Sequence, residues 1–254
     1  MGTQSVFFRD LGLMDYKTAW DYQESLLQDN VKCKSAAKNL AAVSVAPAVQ
    51  DQGPNPYLPT LQPSLATRHY LLFVEHPPVY TLGKSGNIGN VLLSEENLKA
   101  RGIEFFHTNR GGDITFHGPQ QIVGYPILDL EKFYTDIGKY LRNMEEMIIA
   151  TLREYGIRAG RSAGETGVWI DADVKGRERK ICAIGVRSSR WITMHGFALN
   201  VNTDLDYFNF IIPCGIQNKQ VTSLQKELGY RVNMDEVKEK VKRNFERVFD
   251  VELC

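Results

Sequence analysis

A cysteine near the end of the chain lies in a sequence context that presents a thiol. Cys214 stands between Pro213 and Gly215, with Ile212 before them. Proline fixes its own φ and favours an extended conformation for the residue before it, while glycine leaves the backbone beside the sulfur open. A thiolate in this position can attack a carbonyl carbon, although a buried cysteine in a turn fits the same four residues equally well. Cys214 is therefore a candidate nucleophile whose assignment depends on other segments.

A lysine upstream of this cysteine is the candidate base. Lys180 stands where a polar turn enters the apolar run Ile181 to Val186. A lysine in a polar turn is ordinarily solvated, but at this boundary its amine can approach an apolar site. Cys182 follows two residues later, so on an extended strand the side chains of Lys180 and Cys182 are expected on the same face. The residues alone do not place Lys180 beside Cys214.

A glycine-rich segment is the third chemical candidate. Gly111 and Gly112 follow Arg110 and precede the run Asp113-Ile114-Thr115-Phe116-His117. Paired glycines enter backbone conformations closed to other residues, and successive N–H groups in such a turn can converge on one oxygen. A glycine pair is also typical of a plain hairpin, so this segment alone does not decide between a binding turn and a structural one.

Composition limits the kinds of protein this chain can be. The 254 residues include 30 basic and 30 acidic side chains, and this balance argues against a protein that lives on nucleic acid. Four cysteines lie far apart without a C-x-x-C pair, so no zinc site is expected. No secretory leader and no apolar run long enough for a membrane span are present, which with unpaired cysteines predicts a soluble, cytoplasmic protein without membrane contact.

The pattern along the chain predicts an α+β protein. Helices are expected over 14–29, 94–101 and 137–155, the last ended by Gly156, and from Asn233 onward. Strands are expected at 70–75, 79–83, 103–107, 114–116 and 121–130, and in at least three runs between 167 and 201. This grouping favours a sheet covered mainly on one face by helices.

The residues from 34 to 66 interrupt this pattern. They contain five of the ten prolines, with Ala, Gln, Ser and Asn between them. Such a mixture is typical of a long loop, so we predict a flexible insertion here that the chemical step does not need. We expect the whole chain, 1–254, to be a single catalytic domain with this Pro/Ala-rich insertion and a small C-terminal part after about residue 204.

Taken together, the three chemical segments and the run Arg190 to Asn200 resemble the lipoyl(octanoyl) transferases. The resemblance runs from about Tyr70 to the C-terminus. It implies the mixed sheet and helices of the biotin and lipoate protein ligase catalytic fold, with Cys214 as nucleophile and Lys180 as its partner. Asp113 and Gln120 depart from the family pattern, which has Gln or Lys and Gly at these two positions.

The resemblance also implies an acyl-binding pocket. Its residues form three groups: Arg110, Gly111, Gly112, Asp113, Ile114, Thr115, Phe116 and His117; Ala183, Ile184 and Gly185; and Gly196, Phe197 and Ala198. Small residues let the backbone approach an acyl chain, and the apolar ones supply walls. His117 and His195 are expected to line the same cleft, whereas His69, His76 and His107 are interpreted as structural.

The implied reaction moves an octanoyl or lipoyl group from acyl carrier protein to a lysine of a lipoyl domain. The acceptors would be the lipoyl domains of 2-oxoacid dehydrogenases and the glycine cleavage H protein. The group arrives already activated as a thioester, so the reaction needs no nucleotide, metal or other cofactor. Backbone N–H groups near Cys214 and Gly112 are the expected donors to the oxyanion.

Three other functions remain open from the residues. An ATP-dependent lipoate or biotin ligase shares the fold but needs no nucleophilic cysteine, and its glycine-rich signature with phosphate-facing lysines is not seen in this sequence. An amidotransferase that moves octanoyl or lipoyl groups between protein lysines would also use a cysteine. A non-catalytic module that binds carrier or lipoyl domains would not require Cys214 and Lys180, so their presence argues against it.

Overall fold

The computed structural model describes residues 3–44, 66–212 and 220–254. The strands in these ranges are β1 (Gln4–Leu13), β2 (His69–Glu75), β3 (Val79–Leu82), β4 (Glu104–His107), β5 (Ile114–His117), β6 (Gln121–Ile127), β7 (Ala159–Gly160), β8 (Val168–Ile170), β9 (Arg179–Ser189), β10 (Ile192–Asn200), β11 (Gln220–Val221) and β12 (Val251–Leu253). The helices are α1 (Tyr16–Ser44), α2 (Glu95–Ala100), α3 (Ile137–Arg153), α4 (Leu224–Leu228) and α5 (Met234–Phe249). The α+β prediction is confirmed.

The strands form one large mixed sheet and one small sheet. The large sheet has the order β12-β1-β2-β6-β10-β9-β8-β7, and β11 also pairs with β9. Its β12-β1 and β1-β2 pairs are parallel, whereas the central β2-β6, β6-β10 and β10-β9 pairs are antiparallel. The small sheet has the order β4-β3-β5.

Helices cover both faces of the large sheet, so the expectation of cover mainly on one face is wrong. Alternate residues of β2 show the reason. Leu71 and Phe73 pack in a core with α3 and α5, whereas Tyr70 and Leu72 pack in a second core against α1. Because both sets of side chains are apolar, each face needs its own cover.

The first helix is much longer than its apolar stripe predicts. It continues to Ser44, so the expectation of a loop beginning at residue 34 is wrong for its first part. The sequence from 34 to 44 has no proline and is rich in alanine, which favours helix. Lys34 is tied to the body of the protein, because its ammonium lies 2.8 Å from the buried Asp129 carboxylate. Residues 45–65 of the predicted insertion lie outside the described residues.

Several helix ends follow the sequence signals closely. The Ser94 hydroxyl accepts the Asn97 N–H at the start of α2, and the Asn233 side chain accepts the Glu236 N–H at the start of α5. Gly156 has a φ of 72° just past α3, a conformation that glycine adopts without strain. Elements after residue 204 join the main body, because α5 packs in the same core as α3 and β12 pairs with β1.

Candidate active site

Two glycines face each other where the central strands β9 and β10 pair. Gly185 lies opposite Gly196 in the register of this pair. A Cβ atom on Gly185 would lie 2.9 Å from the Gly111 carbonyl oxygen, and one on Gly196 would lie 2.1 Å from the Gly124 carbonyl oxygen. Gly185 therefore lets the glycine-rich turn approach the sheet, where the Gly111 N–H donates to the Val186 carbonyl at 2.9 Å, and Gly196 makes room for the backbone of β6.

Arg110 holds this turn in place. Its side chain is 8% exposed, and Nη2 donates to the Thr81 carbonyl at 2.6 Å and to the Thr81 hydroxyl at 2.9 Å. Its Nη1 donates to the Gly111 carbonyl at 3.0 Å. The guanidinium therefore joins the turn to β3 of the small sheet, and it brings a positive charge to the inner side of the turn.

The turn, β9 and β10 enclose a cavity of about 510 Å³. All but one of the predicted substrate-binding residues line it: Arg110, Gly111, Gly112, Asp113, Ile114, Thr115, His117, Ala183, Ile184, Gly185, Gly196, Phe197 and Ala198. Lys180 and His195 lie in the same wall. Phe116 is the exception, because its buried ring stacks on Tyr207 at a centroid distance of 4.6 Å in a separate core.

Lys180 is fixed by strand pairing on both sides. Trp169 of β8 lies opposite it on one side, and Val221 of β11 lies opposite it on the other. The Lys180 carbonyl also accepts the Thr222 N–H at 3.0 Å. Its ammonium lies 4.6 Å from the centroid of the Trp169 ring. The backbone of Lys180 is therefore fixed, and the position of its amine depends on the conformation of the side chain and on the neighbouring residues.

Cys182 is a core residue, and burial raises the pKa of its thiol well above the usual range. The pairing of β8 with β9 shifts register between Val168 and Trp169, so the alternation of side chains along β9 is broken here. Ile181 and Cys182 consequently pack in the same core, whereas Lys180 lines the cavity. The expectation that Lys180 and Cys182 share a face is wrong for this reason. Cys214 lies outside the described residues.

Gln120 departs from the family pattern at a position with unusual backbone geometry. Its φ is 62°, where glycine, the family's residue at this position, is unstrained. Hydrogen bonds hold the glutamine in this conformation. Its N–H donates to the Glu75 carboxylate at 2.7 Å, and its carbonyl accepts from the Thr203 hydroxyl at 3.0 Å. The departure therefore leaves the turn intact.

The two histidines of the cavity are held neutral. Burial, with Arg110 and Arg187 nearby, lowers the pKa of His195 to about 3, and burial lowers the pKa of His117 well below its usual value. Nε2 of His195 donates to the Asn109 side-chain oxygen at 2.8 Å, and Nδ1 of His117 lies 2.9 Å from the Gln121 side-chain oxygen. At neutral pH both rings are uncharged, and they can donate a hydrogen bond to a ligand or accept one from it.

Other residues in the wall of the cavity have no signal in the sequence. They are Tyr16 of α1, Gln121, Val123 and Tyr125 of β6, Ile137 and Leu141 of α3, Glu165 and Thr166, Phe208 and Val221. Tyr16 comes from a helix whose apolar stripe indicates core packing only, and its ring stacks on that of His117 at 6.0 Å. Only the tertiary fold brings α1 and α3 to this cavity.

Among the residues that the structure describes, none of the helices is both long enough and apolar enough to cross a membrane.

Comparisons with known proteins show the family to which the chain belongs. Residues 57–246 match the family of the lipoyl protein ligase A/B catalytic domain. An octanoyltransferase of Christiangramia forsetii is 54% identical over 98% of this chain and 98% of the relative, and one of Flavobacterium psychrophilum is 55% identical over 97% of each. The bipartite lipoate protein ligase of Thermoplasma acidophilum shares the fold, with a TM-score of 0.62, 17% identity, and coverage of 100% of this chain and 86% of that one. The chain is thus an acyltransferase and belongs to the octanoyltransferase family.

Proposed function

We propose that this protein transfers an octanoyl group from acyl carrier protein to a lysine of a lipoyl domain, through a thioester on Cys214. The observation that carries the proposal is the position of Lys180, an amine in the wall of a largely apolar cavity of about 510 Å³. The named octanoyltransferases, which match almost the full chain, support the octanoyl group as the cargo.

The cavity wall suits a saturated acyl chain. Ile184, Phe197 and Ala198 present apolar surface to the cavity. Burying about six methylenes at roughly 0.8 kcal/mol each contributes on the order of 5 kcal/mol. A chain that fills the cavity is therefore selected by fit rather than by a charged group.

The first step is thioester exchange. Lys180 accepts the proton of the Cys214 thiol, and the thiolate attacks the octanoyl carbonyl carbon of the carrier thioester. The new bond joins that carbon to the Cys214 sulfur, and the bond to the carrier sulfur breaks. The departing carrier thiolate takes the proton back from the Lys180 ammonium, so charge and protons balance.

The second step forms an amide. The amine of the acceptor lysine attacks the Cys214 thioester, its excess proton passes to Lys180, and the Cys214 thiolate leaves. Because an amide is more stable than a thioester, the free energy of this step is favourable without a nucleotide. Backbone N–H groups of the turn at Gly112 and beside Cys214 are the proposed donors to the oxyanion.

The described residues on both sides of Cys214 limit how far it can lie from Lys180. Ile212, two residues before it, is fixed by donation of its N–H to the Asn90 carbonyl at 2.8 Å. Val221, seven residues after it, is paired with Lys180. Seven residues span at most roughly 25 Å, so the chain places an upper limit on the separation of cysteine and lysine.

We infer that the acceptors are the lipoyl domains of 2-oxoacid dehydrogenases and the glycine cleavage H protein, as the family resemblance implies. A nucleophilic cysteine also requires a compartment in which thiols stay reduced, and we therefore infer a cytoplasmic location.

Mass spectrometry of the acyl-enzyme tests the proposed function. The protein is incubated with octanoyl acyl carrier protein, and in a second arm with free octanoate and ATP. We expect one octanoyl thioester on the peptide containing Cys214 in the first arm and no adduct or adenylate in the second. Transfer to a lipoyl domain only in the presence of ATP would instead identify a ligase, and transfer only from an octanoylated donor protein would identify an amidotransferase.

A further inference from the structure

The indole of Trp169 lies directly beside the candidate base. Trp169 is 2% exposed and stands opposite Lys180 in the pairing of β8 with β9. The Lys180 ammonium lies 4.6 Å from the ring centroid, within the range of a cation–π interaction. Tryptophan has the strongest attraction for a cation among the aromatic side chains, and desolvation increases it.

The stem of the lysine is confined from a second direction. A Cβ atom on Gly167 would lie 3.5 Å from Cε and 3.6 Å from Cδ of Lys180, and 2.7 Å from the Cys182 carbonyl oxygen. Gly167 also has a φ of 127°, which residues with a side chain rarely adopt. A side chain at position 167 would therefore touch the methylenes of Lys180 and crowd the Cys182 carbonyl, so this position beside the lysine stem suits only glycine.

Gly167 is in turn held by a buried carboxylate. Its N–H donates at 3.0 Å to Oε1 of Glu145, whose side chain on α3 is fully buried. The other oxygen of Glu145 lies 2.9 Å from Nε of Arg161 and 2.7 Å from Nη1 of Arg142. Two guanidinium groups thus compensate the buried charge and leave Oε1 to the backbone of Gly167.

We propose that Trp169 is a positioning residue that holds the Lys180 ammonium at the cavity wall, with Gly167 and Glu145 keeping the lysine stem in place. The proposal rests on the proposed role of Lys180 as the base for Cys214. When Lys180 takes the thiol proton it becomes an ammonium, and the indole face stabilises that product of the proton transfer. Weakening the ring's negative face should therefore slow the chemical step without changing carrier binding.

Fluorinated tryptophans test this directly, because fluorine withdraws electron density from the ring face with little change in shape. Trp20→Phe and Trp191→Phe are first combined, so that Trp169 is the remaining tryptophan. Proteins carrying Trp, 5-fluoro-Trp and tetrafluoro-Trp at position 169 are then compared in steady state. We expect kcat to fall progressively, by about tenfold at full fluorination, while KM for octanoyl carrier protein stays within twofold. An unchanged kcat across the series would overturn the proposal.

Two further variants keep the test decisive if an analogue impairs folding. Trp169→Phe retains an aromatic face and should keep more activity than Trp169→Leu, which fills the space without one. Equal kcat values for the two, at similar Tm, would contradict the cation–π role. The Cys214 adduct is measured in the same samples. Its absence from every protein, including the parent, would count against the proposed function itself, whereas a normal adduct with a flat fluorine series would remove only the role of Trp169.

Discussion

The carboxylate of Asp113 accepts a hydrogen bond from the side-chain amide of Asn90 at 2.5 Å, and this contact connects the glycine-rich turn to the residue whose carbonyl holds Ile212. The second oxygen of Asp113 accepts the Asn87 N–H at 3.1 Å. The Asn90 carbonyl accepts the Ile212 N–H at 2.8 Å, two residues before Cys214. A residue that departs from the family pattern thus helps to hold the chain at Ile212, two residues before the candidate nucleophile in the sequence.

Replacement of Asp113 should therefore slow acylation more than it weakens binding. Asp113→Ala removes the acceptor of two hydrogen bonds, and the loss of bonds to a charged group corresponds to about a tenfold lower rate. Asp113→Asn keeps one acceptor oxygen, and its rate of acylation should lie between the rates of the unchanged protein and of Asp113→Ala. Single-turnover formation of the Cys214 thioester measures the effect, with the exposed Asp173→Ala as control. Unchanged acylation in Asp113→Ala would show that this contact does not position the nucleophile.

Much of the fold was predictable because local signals agree with it. The caps at Ser94 and Asn233, the stop at Gly156 and the strands at 70–75 and 114–116 depend on nearest neighbours, which the sequence displays. The strands β1 and β12 at one side of the large sheet are not marked by the sequence, since only Val6 of β1 is fully buried and β12 has three residues. The composition of residues 34–66 does not predict the continuation of α1 beyond residue 34. It combines the alanine-rich part 34–44 with the proline-rich residues that follow it.

The candidate site could be predicted only where its residues lie in the segments that carry the family resemblance. Gly111, Gly185 and Gly196 belong to three such segments, and they line one cavity. The contributions of Tyr16, Trp169 and Glu145 depend on contacts between distant elements, and no local pattern marks them. The register shift opposite Lys180 has the same origin. It depends on how β8 pairs with β9, so strict alternation gave the wrong face for Cys182.

Acid should destabilise the fold through its buried histidines. Burial lowers the pKa of His69 and His76 to about 4 and that of His195 to about 3. The pKa of a histidine in the unfolded chain is near 6.5. At a pH between 6.5 and the lowered pKa values of the folded protein, the unfolded chain binds more protons than the folded one, so the free energy of unfolding falls as pH falls. Each pH unit below 6.5 then costs up to about 1.4 kcal/mol per neutral histidine.

Urea unfolding at pH 7.5, 6.0 and 5.0 measures this dependence. We expect the free energy of unfolding to fall steadily over this range, with a smaller slope in His76→Asn. Leu92→Asn, a substitution at an exposed position without a titratable group, should leave the slope unchanged. A stability that does not vary between pH 7.5 and 5.0 would mean that these histidines become protonated within the folded state.

Lys180→Met should reduce transfer by at least about a hundredfold, as loss of a general base does. Lys180→Arg should reduce transfer nearly as much, because a guanidinium can pair with a thiolate but cannot accept the proton of the thiol near neutral pH. Steady-state transfer to a lipoyl domain is the measurement, and Lys175→Met on the exposed turn before β9 is the matched control. Wild-type activity in Lys180→Arg would rule out the proton-transfer role and leave only a role for charge.

The two cysteines of the chemical segments should behave oppositely. Cys182 is fully buried with a raised pKa, and it packs in the core rather than in the cavity wall, so its thiol is a poor nucleophile. Cys182→Ala should keep the acyl adduct and most turnover, with a cost in stability from the lost core contacts. Cys214→Ser should lose fast transfer, because a hydroxyl is too weak a nucleophile without a stronger base. Peptide mapping of the octanoyl adduct distinguishes the two, and an adduct on Cys182 with Cys214→Ala still active would reverse the assignment.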